Sequence, residues 1–422
     1  MSWRSGNVKK ILFVINTLGR AGAETALLEM LRRLDPGQVE IDLYVLTGQG
    51  ELVGELPTYV RLLNKEYAEY SVWSPRGRRR LGHIVAKALL YRGEVLRSFP
   101  YLCGNFVRMF KGGKLYPDKL LWRALADSGQ RTDQVYDLAV AYLEGGSAYY
   151  VADYVRAQKK AAFVHVDYRQ AGYTRALDQD CYLRFDRIFA VSGEVRDVFI
   201  SVYPECAGRT VIFPTLLDRE RIMKMSQAEG GFVDDGPAEN DGGNLSEKDR
   251  GFRILSVGRL TAQKAYEVSI EAMRLLKVKG VKARWYVLGE GDERARLERL
   301  IGRYGLSEEF ILLGAVPNPY PYMRQADIYV QASRFEGRSV AVREAGVLGK
   351  PILLSDCSGN REQVEDGVDG LMCAFTPQAV CDGILRLILD DALRTRLGQA
   401  AAERNKWEQD ELSPFYELLY EE

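Results

Sequence analysis

Short apolar runs alternate with longer stretches of helical periodicity along most of this chain. The runs Lys10–Ile15, Ile41–Leu46, Asp137–Tyr142, Ala161–Val166, Arg187–Val191 and Thr210–Phe213 have the length and composition of strands. Several are apolar throughout rather than alternating, as expected of a parallel sheet covered on both faces. The segments between them read as helices, which gives repeated βαβ units. From Ser226 to Gly251 the rhythm stops. SQAEGGFVDDGPAENDGGNLSEKDRG is rich in Gly, Asp, Glu and Asn and nearly free of large apolar residues. Such a stretch cannot offset its ordering entropy and predicts a flexible joint. The rhythm then restarts, with strands expected at Arg253–Val257, Ala283–Leu288, Phe310–Leu313, Ile328–Ala332 and Ile352–Ser355. The pattern therefore predicts an α/β chain with a first unit over 1–217, a linker or insertion over 218–251 and a second unit over 252–405. A helix in 406–422 is placed to cross back to the first unit. Ligands of open parallel sheets bind outside the carboxyl ends of the strands, so both units are expected to face one cleft.

Composition agrees with this division. A chain of 422 residues exceeds what one core supports, and 46% apolar content is enough for two. Lys+Arg and Asp+Glu are equal at 58 each, which argues against a dedicated nucleic-acid binder. The six cysteines are scattered without a CxxC pair, so reduced thiols in a cytoplasmic protein are the simple reading. No signal-peptide core and no spanning segment is evident. One segment departs from the balance. Between Trp73 and Arg123 there are twelve Lys or Arg against Glu94 and Asp118, with Leu, Tyr, Phe and Trp interleaved. A basic amphipathic insertion over 73–123 suits an anionic membrane surface, although a solvated insertion explains the same residues.

Four windows carry candidate chemistry. In ADIYVQASRFEGRSVAVREAGVLGKPILLS a strand runs into a loop bearing Glu336, and a helix begins near Ser339. Backbone N–H groups at Ser339 and Val340 would make an anion site, and Glu344 lies two turns into the helix. Carboxylates accept hydrogen bonds from sugar hydroxyls, so an anion site with two carboxylates suits a sugar phosphate. By spacing alone, a turn residue and an exposed helix residue fit as well. In SVGRLTAQK the cations Arg259 and Lys264 follow a strand, as a pyrophosphate would require, or as a pair of surface bases would. In INTLGRAGAETALLEML, Gly22 stands at a helix start and permits close approach of a ligand. In AAFVHVDY, His165 ends a strand, and a satisfied core histidine is the ordinary alternative.

Taken as an ordered set, these windows resemble the family 4 retaining glycosyltransferases, which have the GT-B fold. The resemblance is strong over about 252–375, through VGRLTAQK, YVLGEGDERARLERLIGRYGL, EGRSVAVRE (an E-x7-E pattern) and GKPILLSDCSGNREQVEDGVDGL. It is weaker over 8–35 and 137–217 and absent from 73–123 and 226–251. It implies two Rossmann-like, doubly wound domains facing a central cleft, the first binding acceptor and the second binding nucleotide sugar. By the same resemblance, Glu336 contacts the transferred sugar and Glu344 the ribose. Arg259 and Lys264 hold the diphosphate, and Gly22 lets the first domain approach the phosphates. His165 sits near the reacting centre, and the backbone near Val316 faces the base. The sequence departs from the pattern at Ala21, Ala265, Arg338 and Arg343, none of which removes a charged functional group.

The implied activity is transfer of a hexose, with retention, from a nucleotide diphosphate sugar to a hydroxyl. The acceptor would be a lipid-linked or growing saccharide in surface-glycan assembly. No cofactor and no metal are expected, because Arg259, Lys264 and the helix start can stabilise the leaving diphosphate. The expected location is the cytoplasm, peripheral at the inner face of the plasma membrane. A GT-B nucleotide-sugar epimerase and a non-catalytic scaffold subunit are the alternatives. The latter sits poorly with Glu336, Arg259 and Lys264 all being present.

Overall fold

The computed structural model describes residues 8–72, 74–90, 94–111, 117–232, 251–405 and 412–421. The chain divides into two compact units, one of residues 1–216 with 410–422 and one of residues 217–409.

The N-terminal unit is built on seven strands: β1 (Lys9–Ile15), β2 (Val39–Val45), β3 (Val60–Leu62), β4 (Val135–Ala141), β5 (Arg156–Val164), β6 (Arg187–Ala190) and β7 (Thr210–Ile212). They pair in the order β3-β2-β1-β4-β5-β6-β7, every pairing parallel. Ile11 faces both Ile41 and Leu138, so β1 is central, and its run from Ile11 to Ile15 is fully buried. Alternate side chains feed two cores. Leu12 and Val14 enter one, while Ile11, Phe13 and Ile15 enter the other. The C-terminal helix Ser413–Tyr420 closes the second core, stacking Phe415 on Phe13 at 6.0 Å. Lys159 donates to the Leu418 carbonyl of that helix at 3.0 Å.

The C-terminal unit repeats the plan with six parallel strands: β8 (Phe252–Val257), β9 (Ala283–Leu288), β10 (Phe310–Gly314), β11 (Ile328–Gln331), β12 (Ile352–Ser355) and β13 (Leu371–Cys373). Their order is β10-β9-β8-β11-β12-β13. In both units the winding reverses beside the first strand, between β1 and β4 and between β8 and β11. That reversal opens a crevice at the strands' carboxyl ends, the usual ligand position in such sheets.

Three readings of the sequence need correction. The edge strands β3 and β13 were not expected. Each has three residues, too few to show a period. Residues 219–226, assigned to the linker, form a helix, Arg219–Ser226, capped by Asp218 accepting from Arg221 N at 2.8 Å. Its Ile222 packs with Val340 and Val347, so the helix belongs to the C-terminal unit. Most of the remaining joint, 233–250, lies outside the described residues. The basic insertion forms three helices, Pro75–Leu90, Glu94–Lys111 and Pro117–Ser128. Arg123, counted there as a surface base, is buried. It pairs with Asp153 and donates to the Asp178 carbonyl at 3.0 Å.

Candidate donor site

The β8 strand ends at Val257, and the loop from Gly258 to Lys264 follows it. The turn after β9 holds this loop by backbone contact. Leu260 N donates to Glu290 O at 2.9 Å. A Cβ on Gly289 would lie 2.0 Å from Gly258 O, and one on Gly291 would lie 2.1 Å from Leu260 O. Only glycine permits that approach, so the GEG turn forms the floor of the loop. The loop ends at Ala265, which sits in left-handed backbone at φ 50° and starts the helix Tyr266–Val278.

This geometry brings Lys264 to Glu336. The Lys264 ammonium lies 2.8 Å from Glu336 Oε1, with side-chain exposures of 14% and 6%. Glu336 follows β11 and is fixed by its backbone, whose N–H donates to Ser358 O at 2.9 Å. Gly359 stands close behind; a Cβ there would meet Gly337 O at 2.3 Å. Gln263 bridges the two loops, donating to Phe335 O at 3.0 Å and to Glu336 Oε2 at 3.5 Å. Arg259 is exposed and makes no ion pair among the described residues.

The helix Val340–Val347 starts beside this pair. Its N-cap is Ser339, yet the Ser339 hydroxyl caps nothing. It donates instead to Gln331 Oε1 at 3.0 Å. The first N–H groups of the helix are therefore left without a side-chain acceptor, the condition for an anion site. Gln331 does not stand out in the sequence, where it reads as one residue of a buried strand. Its side-chain Nε2 and the hydroxyl of Ser333 are buried without a hydrogen-bond partner among the described residues. Buried polar groups are normally paired, so this unused capacity at the end of β11 marks a place for a polar ligand.

Glu344, on the same helix, is buried and accepts from the Tyr320 hydroxyl at 2.8 Å. Burial pushes its carboxyl up to about 7, against that hydrogen bond and the charges of Arg221 and Arg343. Val316 is half-buried and packs on the apolar cluster that includes Val342 and Ala345. The structure thus gathers Lys264, Glu336, Ser339, Val340, Glu344 and Val316 in one unit. Arg259 lies in the same loop as Lys264.

The other two candidates belong to the N-terminal unit, at the carboxyl ends of its strands. Gly22 is exposed and opens the helix Gly22–Arg33, which has no side-chain cap. His165 follows β5 and packs between Tyr142 (5.0 Å) and Phe163 (5.8 Å). Its backbone N–H and that of Val166 both donate to Glu144 Oε1. Burial holds the imidazole down to about 4, so it is neutral near pH 7. Its Nε2 has no partner among the described residues, unlike that of an ordinary core histidine.

Two parallel Rossmann-like units of this kind place the chain in the GT-B class of fold. Anabaena HepE, solved in complex with UDP and glucose, has the same fold, with a TM-score of 0.66 at 16% identity over 98% of this chain and 100% of that one. Residues 239–404 match the family described as Glycosyl transferases group 1. Relatives include the alpha-D-kanosaminyltransferase of Streptomyces kanamyceticus, 29% identical over 44% of this chain and 50% of that protein. Another is the N-acetylgalactosamine-N,N'-diacetylbacillosaminyl-diphospho-undecaprenol 4-alpha-N-acetylgalactosaminyltransferase of Campylobacter jejuni, 34% identical over 36% and 42%. The chain spans about half the length, or less, of these curated relatives.

Proposed function

We propose that this protein transfers a hexose, with retention, from a nucleotide diphosphate sugar to a hydroxyl of a lipid-linked or growing saccharide. The reading rests on one observation above the others. A buried Lys264–Glu336 pair stands beside a helix start whose capping hydroxyl has been drawn away by Gln331. The helix N–H groups, Lys264 and Arg259 take the diphosphate. They stabilise the charge that develops on it as the glycosidic C–O bond breaks. With these cations in place the transfer needs no metal. Glu336, held by Lys264, accepts a hydrogen bond from a hydroxyl of the transferred sugar and fixes its orientation. Glu344 accepts from the ribose hydroxyls, and the backbone at Val316 faces the base. Gly22 and His165 act from the N-terminal unit, the neutral imidazole as a hydrogen-bond partner for the sugar. The departing phosphate oxygen takes the acceptor's proton on the face where the new bond forms, so the anomeric configuration is kept.

HepE was solved with UDP and glucose, and the name of the Campylobacter relative includes a diphospho-undecaprenol saccharide. Both support testing UDP sugars first, against lipid-diphosphate saccharides, at the cytoplasmic face of a membrane. Purified protein is incubated with a panel of nucleotide sugars, with and without membrane extract and with and without EDTA. Acceptor-dependent nucleotide release and an α-linked product by NMR are expected, unchanged by EDTA. A new nucleotide sugar formed without acceptor would replace this reading with epimerisation. An inverted product would remove the retaining mechanism.

A further inference from the structure

The helix Glu94–Lys111 carries a feature that the donor chemistry does not use. Cys103, Phe106, Val107 and Phe110 are spaced i, i+3, i+4, i+7, which places them on one face. All four are exposed, with Phe106 at 50%, Val107 at 48% and Phe110 at 69%. The opposite face is anchored in the N-terminal unit. Asn105 is buried, and the Tyr101 hydroxyl donates to Leu177 O at 3.0 Å. Orientation of the apolar face is therefore fixed by packing. The neighbouring helix Pro75–Leu90 supplies charge. Arg76, Arg79, His83 and Lys87 recur at helical spacing, all exposed, and this helix contains no acidic residue. No helix among the described residues is long and apolar enough to cross a membrane.

We propose that this face is a monotopic membrane anchor, in which Phe106, Val107 and Phe110 insert into an anionic leaflet while the basic helix beside it engages the headgroups. An aqueous protein gains nothing by presenting two phenylalanines and a valine on one rigid face. A bilayer interface takes apolar side chains and surrounding bases together. A soluble protein partner is the reading that absence of vesicle binding would leave. The inference rests on the proposed function only for its purpose, which is to hold the enzyme where a lipid-linked acceptor resides.

The full chain is sedimented with vesicles of phosphatidylglycerol and phosphatidylcholine, and with pure phosphatidylcholine. Binding to the anionic vesicles is expected, and a Phe110→Trp variant should shift its emission to the blue and be quenched by brominated acyl chains. Phe106→Ser combined with Phe110→Ser should lower partitioning at least about tenfold. Arg76→Gln with Arg79→Gln should weaken binding in a salt-dependent way. Turnover of a soluble acceptor analogue is followed in parallel. It should be unaffected in every variant, which also reports that they fold. Absence of vesicle binding, or wild-type binding by the Phe106/Phe110 variant, would overturn the anchor. Absence of turnover in the wild type with intact vesicle binding would instead overturn the transferase reading.

Discussion

The two units share a sheet plan but treat their buried acids differently. In the N-terminal unit, Asp178 is fully buried and accepts from the hydroxyls of Tyr149, Tyr168 and Tyr203. Glu144 accepts two backbone N–H groups after β5. In the C-terminal unit, Glu336 has one ammonium and a long contact from Gln263, and Glu344 has one tyrosine hydroxyl from its own neighbourhood. A carboxylate has about four acceptor sites. Asp178 spends three of them on the fold, whereas Glu344 spends one. At equal burial, Asp178 is saturated by the fold and Glu344 keeps acceptor capacity to spare.

The strongest way to break this contrast is at Lys264 and Glu336. Removing either residue alone leaves the other charged and buried, which costs about 3–5 kcal/mol. Turnover should fall at least about a hundredfold with it. The double variant Lys264→Met/Glu336→Gln removes both charges, so stability should recover while turnover does not. Denaturant melts and donor turnover on the same preparations measure both. Wild-type turnover in the double variant would show the pair to be structural.

The opposite pattern is expected at Asp178. Asp178→Ala strands three tyrosine hydroxyls, and loss of about 3 kcal/mol or more is expected from unpaired buried groups. Donor KM of the folded fraction should not change. A KM shift as large as that of a Glu344 variant would mean that partner number does not distinguish the two kinds of acid.

Much of this is legible in the sequence. The central strands announce themselves as uninterrupted apolar runs, and the chain order of β8, Lys264, β11, Glu336 and Glu344 matches a strand-loop-helix site. Ala265 is visible as a departure, though its backbone conformation is not. Gln331 is not legible, because its role depends on the direction of one hydroxyl in three dimensions. Nor is the pairing of Lys264 with Glu336, which are 72 residues apart in the chain. The basic segment is legible as charge but misleading at Arg123, because composition does not tell a buried guanidinium from an exposed one.

A finer test uses pH. The Glu344 carboxyl is raised to about 7 in the folded chain from an ordinary 4.5. The native state therefore holds more protons than the unfolded state between these values. Its contribution to stability is full below 4.5 and is lost as pH rises through 7. Ribose hydroxyls donate to the charged form, so donor binding works against protonation. Donor KM should rise by up to about tenfold per pH unit below neutrality. Glu344→Gln should flatten both profiles. A KM that is flat with pH in the wild type would remove Glu344 from the donor site. His165, held down to about 4, adds no limb near neutral pH.

The smallest effect concerns the backbone between the paired loop and its helix. Ala265 adopts φ 50° and ψ 41°, fully buried, where a Cβ crowds the following carbonyl. Left-handed backbone costs a non-glycine residue about 1–2 kcal/mol, and glycine gives back part of that through its freer unfolded state. Ala265→Gly should therefore stabilise the C-terminal unit by about 0.5–1 kcal/mol. The turn that carries Lys264 to Glu336 is already formed, so donor KM should stay where it is. If Ala265→Gly destabilises, the methyl's packing in the core around Ile270 and Met273 outweighs the backbone strain. If it also lowers turnover, that strain is what holds Lys264 against Glu336. The site would then depend on the loop's rigidity as well as on its charges.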